Sequence, residues 1–336
     1  MMDIVRSWRD VPGRLKGAAL AIGNFDGVHR GHQAVLLEAK RIADAEGRRS
    51  GAVVFEPHPR AFFAHDRPFF YLTPLPLKLE LLAELGLDQT FVIPFDQALS
   101  SLSAEAFATD VVARGLGAWH VVVGYDFTYG KGRTGTTEGL AAIGRAHGFG
   151  VDVVSPVGQN GVTFSSSSIR EHLRKGEPRE AAEQLGYWWR IRGTVEPGHG
   201  RGKGLGFPTL NLPLAEGQDV AQGIYAMRVY HKGRRYAAAG YVGASPTFGD
   251  GTPALEAYLL DFDGNLYGED VELEFIALLR GDRAFADKDS LAKQMHEDCD
   301  AARTVLGRIE RDDPIRRFPL GRALEAAALD CREPGC

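Results

Sequence analysis

The chain has 336 residues, which is too long for one ordinary hydrophobic core and favours two domains. Apolar residues make up 44% and charged residues 25% of the sequence, the balance of a soluble globular protein, and the net charge of −5 does not favour a nucleic-acid binder. Cys299, Cys331 and Cys336 form no close pair, which argues against a disulfide framework or zinc site and favours a reducing compartment. Charges interrupt the first ten residues and no apolar run could cross a bilayer, so we expect a cytoplasmic protein.

The first half of the sequence alternates short apolar runs with helical patterns. The apolar runs predict buried strands at 18–22, 52–55, 90–93, 120–124 and 151–154. Helices are predicted at 33–46, at about 77–85, from Ser103 onward, and after a cap at Thr136 or Thr137. Apolar strands that alternate with helices indicate a parallel sheet covered on both faces, and such sheets bind ligands beyond the carboxyl ends of their strands. We therefore expect function in the loops after Ile22, Phe55 and Gly124.

The pattern changes near Gly186. The segment 178–186 begins with proline and ends with glycine, as a short helix often does. Several short strand patterns follow without helices between them and indicate an antiparallel barrel. A long helix is predicted at about 288–306. The tail beyond Glu310 contains three prolines and one short helical turn at ALEAAAL, and we assign no function to it.

The segment GNFDGVHRGH at 23–32 directly follows the first strand and opens the first helix. Glycines let a backbone approach phosphate closely, and a helix N-terminus offers unpaired N–H groups. His29 and His32 are three residues apart, so one helical turn places both imidazoles on one side, where they can donate hydrogen bonds to a triphosphate. The alternative is a strand–helix turn with two surface histidines. We assign phosphate binding to Gly23, Phe25, Asp26 and Gly27, and catalysis to the two histidines.

Three further segments of the first half carry candidate ligand-binding side chains. SSSSIRE opens a helix and predicts an anion-binding cluster of Ser166, Ser167 and Arg170, or else a serine-capped surface helix. GYDFTYGKGRTG follows the fourth strand with Asp126 and several aromatic and basic residues, which favours ligand binding over an ordinary surface loop. FEPHPR occupies an equivalent place with His58, although its prolines could simply shape the loop.

In the second half, GHGRGKGLGFPTLN joins a glycine-rich basic loop to Thr209 and Asn211. Backbone N–H groups of such a loop can cradle ATP phosphates, for which we assign Gly202, Lys203, Gly206 and Pro208. The oxygen side chains of Thr209 and Asn211 can hold Mg²⁺. Glu256 lies in a strand pattern on the face opposite Leu255, and together with the oxygen pair it becomes a candidate general base. The alternatives are a solvated glycine hairpin and a solvent-facing strand glutamate.

From about Gly17 to Leu306 the sequence resembles the bifunctional riboflavin kinase/FAD synthetase family of bacteria. The family motifs G-x-F-D-G-x-H-x-G-H, Ser-Ser-Ser/Thr-x-Ile-Arg and Gly-Phe-Pro-Thr-x-Asn are matched in order at 23–32, 165–170 and 206–211, and the strand with the catalytic glutamate is matched at Glu256. The resemblance implies a Rossmann-like nucleotidyltransferase domain at 1–186, a six-stranded antiparallel β-barrel with a C-terminal helix as the riboflavin kinase domain at 187–310, and a tail of unassigned role at 311–336. It also implies that Asp126 lies near the flavin and that Arg280 lies in a mobile flavin-binding segment.

The resemblance implies two reactions with different nucleophiles. ATP phosphorylates the ribityl hydroxyl of riboflavin to give FMN, and a poor alcohol nucleophile needs a base, for which Glu256 is the candidate. FMN then attacks a second ATP to give FAD and pyrophosphate, and its phosphate is already anionic, so this site needs alignment and charge stabilisation. Riboflavin, FMN and ATP are the expected substrates, FAD the product and Mg²⁺ the cofactor. No nucleic-acid or membrane partner is expected, and the assembly state is open.

Three residues depart from the family pattern. Leu210 replaces an alanine between the threonine and asparagine, which would place a bulkier side chain near the phosphates, while Tyr241 replaces an asparagine and Tyr258 a histidine. They motivate one alternative, an FMN adenylyltransferase whose barrel binds flavin but is impaired as a kinase. Another alternative is a non-catalytic flavin sensor that contacts RNA. The intact histidines and Glu256 favour the bifunctional enzyme.

Overall fold

The structure is a computed structural model that describes residues 1–64, 68–159, 161–197, 207, 209–244 and 253–330. The chain divides into two compact units, Met1–Ser166 and Ser167–Cys336. In these described ranges, no helix combines the length and apolar character that a membrane span requires.

The first unit is built on a six-stranded sheet, and every neighbouring pair of strands in it is parallel. The strands are β1 Asp3–Val5, β2 Ala19–Ile22, β3 Ser50–Glu56, β4 Gln89–Pro94, β5 His120–Gly124 and β6 Gly150–Val154. Their order across the sheet is β1-β4-β3-β2-β5-β6. After β2 the chain adds β3 and β4 on one side of it, and β5 and β6 then form on its other side. The carboxyl ends of β2 and β5 therefore meet at the switch point, where such sheets bind ligands. The predicted parallel sheet is confirmed.

Buried side chains explain why the central strands are mainly apolar. In β2, Leu20 and Ala21 are both 0% exposed although they point to opposite faces of the sheet. Leu20 packs into a cluster that also contains Val53, Phe91 and Val121 from neighbouring strands. A sheet covered on both faces favours apolar side chains in these strands, and the polar Ser50, Gln89 and Thr90 are buried near strand beginnings.

Two helices of this unit begin at residues that the sequence predicts as caps. The helices of the unit are α1 Arg30–Ala45, α2 Pro59–Phe63, α3 Leu75–Glu84, α4 Gln97–Ser100, α5 Ala104–Ala106, which continues as a π-helix Phe107–Gly115, and α6 Thr137–His147. The Ser103 hydroxyl accepts a hydrogen bond from the Ala106 N–H at 3.0 Å, and the Thr136 hydroxyl accepts from the Gly139 N–H at 3.2 Å. Of the two cap candidates for α6, Thr136 is therefore the one used. Helix α1 begins three residues earlier than predicted, because His29 caps it.

A two-stranded hairpin, β7 Gly158–Gln159 and β8 Val162–Thr163, precedes α7 Ser166–Arg174 and α8 Pro178–Leu185. Helix α8 ends as its sequence predicts, at Gly186 in the left-handed region with φ 78°.

The second unit contains an antiparallel six-stranded sheet that is nearly closed into a barrel. Its strands are β9 Arg190–Thr194, β10 Thr209–Pro213, β11 Gly223–His231, β12 Arg234–Ala244, β13 Pro253–Leu259 and β14 Asp270–Arg280. They lie in the order β10-β13-β12-β11-β14-β9. The Glu196 N–H, just beyond β9, donates to the Asn211 carbonyl at 2.9 Å and brings the two edges of the sheet together. The predicted barrel is confirmed.

Two helices follow the barrel. Helix α9, Lys288–Arg311, matches the predicted long helix and continues five residues beyond its expected end. A turn at Pro314–Arg317 then leads into α10, Pro319–Asp330, where the sequence predicted only a short helical turn. Helix α10 packs against β12, with Leu320 and Leu324 buried, and this contact explains why a full helix forms there.

Candidate active sites

The phosphate loop, residues 23–29, connects β2 to α1 at the switch point. Gly27 has φ 85°, a left-handed conformation that glycine adopts without strain. A Cβ on Gly23 would stand 2.9 Å from the Phe25 ring, so only glycine leaves room for that ring. Phe25 is 2% exposed and meets His32 edge-to-face at 5.3 Å. The side chain of Phe25, which we assigned to phosphate binding, thus lies in the interior and supports the His32 ring.

The two histidines of the loop are stacked on each other, with ring centroids 3.6 Å apart. They lie on one side, as their spacing predicts. His29 is the N-cap of α1, and its Nδ1 accepts a hydrogen bond from the His32 N–H at 3.3 Å. Burial lowers the pKa of His29 to about 3, so its ring is neutral near pH 7 and carries its proton on Nε2. The loop therefore presents a neutral N–H donor and a helix N-terminus, which suits a polyanion.

Asp26 holds the phosphate loop to a distant segment of the chain. Its carboxylate accepts hydrogen bonds from the backbone N–H groups of Leu72 at 3.2 Å and Thr73 at 3.1 Å, and it is 1% exposed. The Gly27 N–H donates to the Thr73 hydroxyl at 2.9 Å. A carboxylate repels phosphate, so these contacts favour a supporting role for Asp26 over direct phosphate binding.

The predicted anion-binding cluster lies at the start of α7. The Ser166 hydroxyl donates to the Asp26 carbonyl oxygen at 2.8 Å, which ties the helix start to the phosphate loop. Ser167 is exposed, and Arg170, one turn further along the helix, is buried. Ser166 is thus brought to the loop, as the assignment to phosphate binding requires.

The loop after β5 lies beside the phosphate loop, because β5 and β2 are neighbouring parallel strands. Asp126 is exposed at the beginning of this loop. Phe127 and Tyr129 stack on each other at 5.5 Å, and Tyr129 is buried. Asp126 is thus held at the carboxyl edge of the sheet by aromatic packing of the residues that follow it.

An aromatic group that we did not predict follows β3 and β4 at the same edge of the sheet. Phe62, Phe63 and Phe95 meet edge-to-face, with centroids 5.1 to 5.9 Å apart, and Phe63 is 60% exposed. Two adjacent phenylalanines in a short helix after a strand were the available signal. The neighbouring His58 caps α2 by accepting from the Arg60 N–H at 3.0 Å, which gives this weaker candidate a structural role.

In the second unit, the predicted kinase residues share one face of the sheet. Asn211 is paired across the strands with Glu256, and Glu256 is paired in turn with Tyr241. Thr209 is paired with Tyr258. Opposed residues project to the same side, so these side chains form one cluster in which Glu256 is half-buried.

The structure corrects the expectation for Leu210. Strand alternation turns its side chain to the other face from Thr209 and Asn211, where it is 5% exposed and lies opposite Ala257 in the barrel interior. Leu210 therefore fills the core and is not directed toward the phosphate and metal residues.

The two tyrosines that depart from the family pattern are held by defined contacts. The Tyr241 hydroxyl donates to Asp282 at 3.1 Å, and burial, Asp282 and Glu256 raise the pKa of Tyr241 to about 12. The Tyr258 ring meets Phe207 edge-to-face at 5.1 Å, and Phe207 also contacts the His296 ring at 4.8 Å. Phe207, which we left unassigned, thus joins the motif to β13 and α9.

Arg280 is occupied by an ion pair. Its guanidinium donates two hydrogen bonds, at 2.9 and 2.8 Å, to Asp298, a buried residue of α9. A flavin contact through this guanidinium would have to share or break the pair. The predicted phosphate residues Gly202, Lys203, Gly206 and Pro208 lie outside the described residues.

Comparison with known proteins matches both units. The FAD synthetase family model matches residues 12–168, and the riboflavin kinase family model matches residues 185–306. The bifunctional riboflavin kinase/FMN adenylyltransferase of Listeria monocytogenes is 35% identical over 308 residues, which cover 90% of this chain and 95% of the relative. The protein of the same name from Escherichia coli K12 is 34% identical over 297 residues, covering 87% and 94%.

A solved structure also resembles the whole chain. It is named as a macrolide-efflux protein from Streptococcus pneumoniae, is 26% identical, and superposes with a TM-score of 0.80 over 90% of this chain and 98% of its own. Both family models match in the expected order, and the relatives are matched along nearly their whole length. The chain therefore belongs to the family of bifunctional riboflavin kinases/FMN adenylyltransferases.

Proposed function

We propose that the two reactions of this family are divided between the two sites described above, with FMN adenylylation at the phosphate loop and riboflavin phosphorylation at the face of β10 and β13. The substrates are riboflavin, FMN and ATP, and the product is FAD. The observation that carries the division is the cross-strand pairing of Glu256 with Asn211, which puts a carboxylate beside two oxygen side chains. The phosphate loop instead presents stacked imidazoles at a helix N-terminus.

At the phosphate loop, an oxygen of the FMN phosphate attacks the α-phosphorus of ATP, the bond to the β-phosphate breaks, and pyrophosphate leaves. The attacking phosphate is anionic near neutral pH, so no base has to accept a proton. His29 and His32 donate hydrogen bonds to the phosphates, while Gly23 and Gly27 allow close backbone approach. The hydroxyls of Ser166 and Ser167 and the guanidinium of Arg170 add donors at the start of α7.

The aromatic group of Phe62, Phe63 and Phe95 offers an apolar platform for a flavin ring. It follows strands β3 and β4 at the carboxyl edge, the same edge that carries the phosphate loop and Asp126. A planar ring can stack on exposed aromatic side chains, and Phe63 has the exposure to provide one. We place the isoalloxazine ring of FMN there, with Asp126 beside it.

At the barrel, Glu256 accepts the proton of the ribityl hydroxyl as the oxygen attacks the γ-phosphorus of ATP, and ADP leaves. Glu256 is half-buried on the same face as Thr209 and Asn211, as this role requires. The position of Leu210 in the core removes one motive for an impaired kinase, since its bulk is directed away from that face.

Mg²⁺ fits the residues of this face. The described residues contain no group of three or more histidine, cysteine or acidic side chains that could hold a metal. The candidate ligands on this face are the side-chain oxygens of Thr209 and Asn211. The Asn211 amide nitrogen donates to the Thr209 carbonyl at 3.3 Å, which leaves the amide oxygen as the atom for a cation. Thr209 and Asn211 would hold Mg²⁺, which offsets charge on the transferred phosphoryl group when bound.

We propose domain boundaries at 186 and 310, with a tail at 311–336. Helix α8 follows the first matched family region and ends at Gly186, close to where the second one begins.

The sparse cysteines support a reducing compartment, the cytoplasm, as the place of action.

Product analysis over time, starting from riboflavin, ATP and Mg²⁺, tests this division. Glu256→Gln should abolish FMN formation and still convert added FMN to FAD, because only the alcohol nucleophile needs a base. His32→Ala should form FMN and leave it unconverted. Glu216→Gln and His147→Ala change the same residue types at exposed positions and should behave as the wild type. Equal loss of both reactions in either folded active-site variant would contradict the two-site assignment.

A further inference from the structure

A lysine is buried in the unit that carries the phosphate loop. Lys78 lies in the first turn of α3 and is 0% exposed. Within the described ranges its Nζ has no hydrogen-bond partner. Burial lowers the pKa of this ammonium, whereas the carboxylates of Asp26 and Glu56 raise it. Removing an ammonium from water is costly, so its position calls for an electrostatic use.

The two carboxylates that act on Lys78 belong to the carboxyl edge of the sheet. Asp26 lies in the phosphate loop after β2, and Glu56 ends the neighbouring parallel strand β3. The Oε2 atom of Glu56 is buried and has no hydrogen-bond partner among the residues that the structure covers. Burial raises the pKa of Glu56, Lys78 lowers it and Asp26 raises it, so the three groups form one interacting set. With both carboxylates ionised, the set has one negative charge in excess.

Excess negative charge in this set would weaken ATP binding at the phosphate loop. Both carboxyl oxygens of Asp26 accept the backbone hydrogen bonds of Leu72 and Thr73 that hold the loop, and such bonds are strongest to a carboxylate. The loop itself has to receive the triphosphate of ATP, which carboxylates close to it would repel. A buried cation that acts on them reduces this repulsion, and because it is shielded from solvent its effect is screened much less by salt.

We propose that Lys78 is a positioning residue for FMN adenylylation, whose buried charge offsets Asp26 and Glu56 and keeps the phosphate loop able to receive ATP. Lys78 itself does not touch the substrate in this role. The inference rests on the proposed location of ATP at the phosphate loop, and its test is arranged so that the two can fail separately.

The experiment measures KM for ATP and kcat of FMN adenylylation in the full-length chain. Lys78→Met should raise KM for ATP about tenfold or more with a smaller change in kcat, because a buried and weakly screened charge acts on ATP binding. Adding Glu56→Gln should restore the charge of the set and recover most of the loss. Lys40→Met removes a partly exposed charge from the far part of α1 and should change KM less than about twofold. KM for ATP of the kinase reaction should stay unchanged throughout.

An unchanged KM in Lys78→Met, or a double variant no better than the single one, would overturn the proposal, because lost packing is not repaired by neutralising Glu56. If Lys78→Met is not recovered as folded protein, Glu56→Gln alone decides. It should lower KM for ATP, and a higher KM would refute the charge argument. His32→Ala distinguishes failure of the proposed ATP site from failure of this inference. If His32→Ala retains adenylylation, both the proposed ATP site and the role of Lys78 are wrong. If His32→Ala loses adenylylation while Lys78→Met keeps the wild-type KM for ATP, only the role of Lys78 is wrong.

Discussion

His29 defines the chemistry available at the phosphate loop. Its Nδ1 is used by the backbone of α1, and burial keeps its ring neutral. A neutral imidazole donates the same Nε2–H bond across the neutral pH range, so His29 should add no ionisation to the rate profile above pH 6. Charge stabilisation at this site then depends on fixed donors, as expected for a reaction whose nucleophile already carries charge.

The folded-state pKa of His29, about 3, lies below the value of 6.5 that a histidine has in an unfolded chain. The unfolded chain therefore binds the proton more readily between these values. Stability that depends on neutral His29 is complete above about pH 6.5 and is lost as the pH falls toward 3, at up to about 1.4 kcal/mol per pH unit.

NMR of ring-labelled histidine checks this state directly. The His29 signals, identified by their absence in His29→Gln, should show the Nε2–H tautomer and should not titrate above about pH 4.5. The exposed His147 in the same spectra is the solvent-accessible control. A His29 midpoint near 6 would show that the ring is charged in part at working pH and would refute the neutral-donor role.

At the scale of elements, strand register decides which side chains share a site. Alternation along β10 separates Leu210 from Thr209 and Asn211, and pairing with β13 brings Glu256 beside Asn211. The same register puts Tyr241 next to Glu256, where its hydroxyl is engaged with Asp282. A departure from the family pattern thus has a different meaning on each face: Leu210 alters core packing, while Tyr241 and Tyr258 lie on the face of the proposed kinase site.

The tail is integrated into the barrel through a buried charge. Asp313 is 8% exposed and accepts a hydrogen bond from the Trp188 indole N–H at 3.1 Å. It also forms a salt bridge with Arg228, whose guanidinium donates to it at 2.9 Å. Arg228 is itself buried, and its other acidic neighbour, Glu274, is 3.6 Å away. A segment beyond the matched kinase region therefore supplies a partner that a buried arginine of β11 uses.

Replacing this partner should destabilise the barrel. Asp313→Asn keeps an acceptor for Trp188 but removes the charge opposite Arg228, and breaking a buried ion pair typically costs about 3–5 kcal/mol. Thermal unfolding, monitored through the loss of kinase activity, should have a lower midpoint temperature for Asp313→Asn and for a chain that ends at Asp312. Asp312→Asn changes the exposed neighbouring residue and should keep the wild-type midpoint. An unchanged midpoint in Asp313→Asn would show that the tail is not coupled to the barrel in this way.

At the scale of the whole molecule, the chain carries two transferase activities that share ATP as a substrate and differ in the nucleophile that attacks it. One site needs a proton acceptor, and the other needs donors for accumulating negative charge. Because the product of the first reaction is the substrate of the second, we predict that FMN passes between sites on different molecules through solution. The two activities should therefore be separable and also recombinable.

Mixing variants tests this property. Glu256→Gln and His32→Ala should each fail to make FAD from riboflavin, whereas an equimolar mixture should make it after a lag in which FMN accumulates. Chromatography of flavins over time measures both species, and wild type at half the concentration is the reference. Absence of FAD from the mixture, with each partner active in its own remaining reaction, would show that FMN must be transferred within one chain.

Much of the fold could be predicted because its signals are local. Continuous apolar runs predict the buried strands. Ser103 and Thr136 are predicted as caps by their place before helical patterns, and Gly186 predicts the end of α8. The pairing of His29 with His32 follows from three-residue spacing in the same way. Each of these features depends on neighbours within a few residues.

Other features depend on segments that are far apart in the chain, and no local pattern reveals them. Asp26 is satisfied by Leu72 and Thr73, and Asp313 by Trp188, more than a hundred residues away. The sequence by itself determined the two domain types and their order and supplied the candidate site residues, because residue type and short spacing suffice for that. Tertiary structure alone decided which of them support and which face a site, since burial and cross-strand pairing arise only when distant segments pack together.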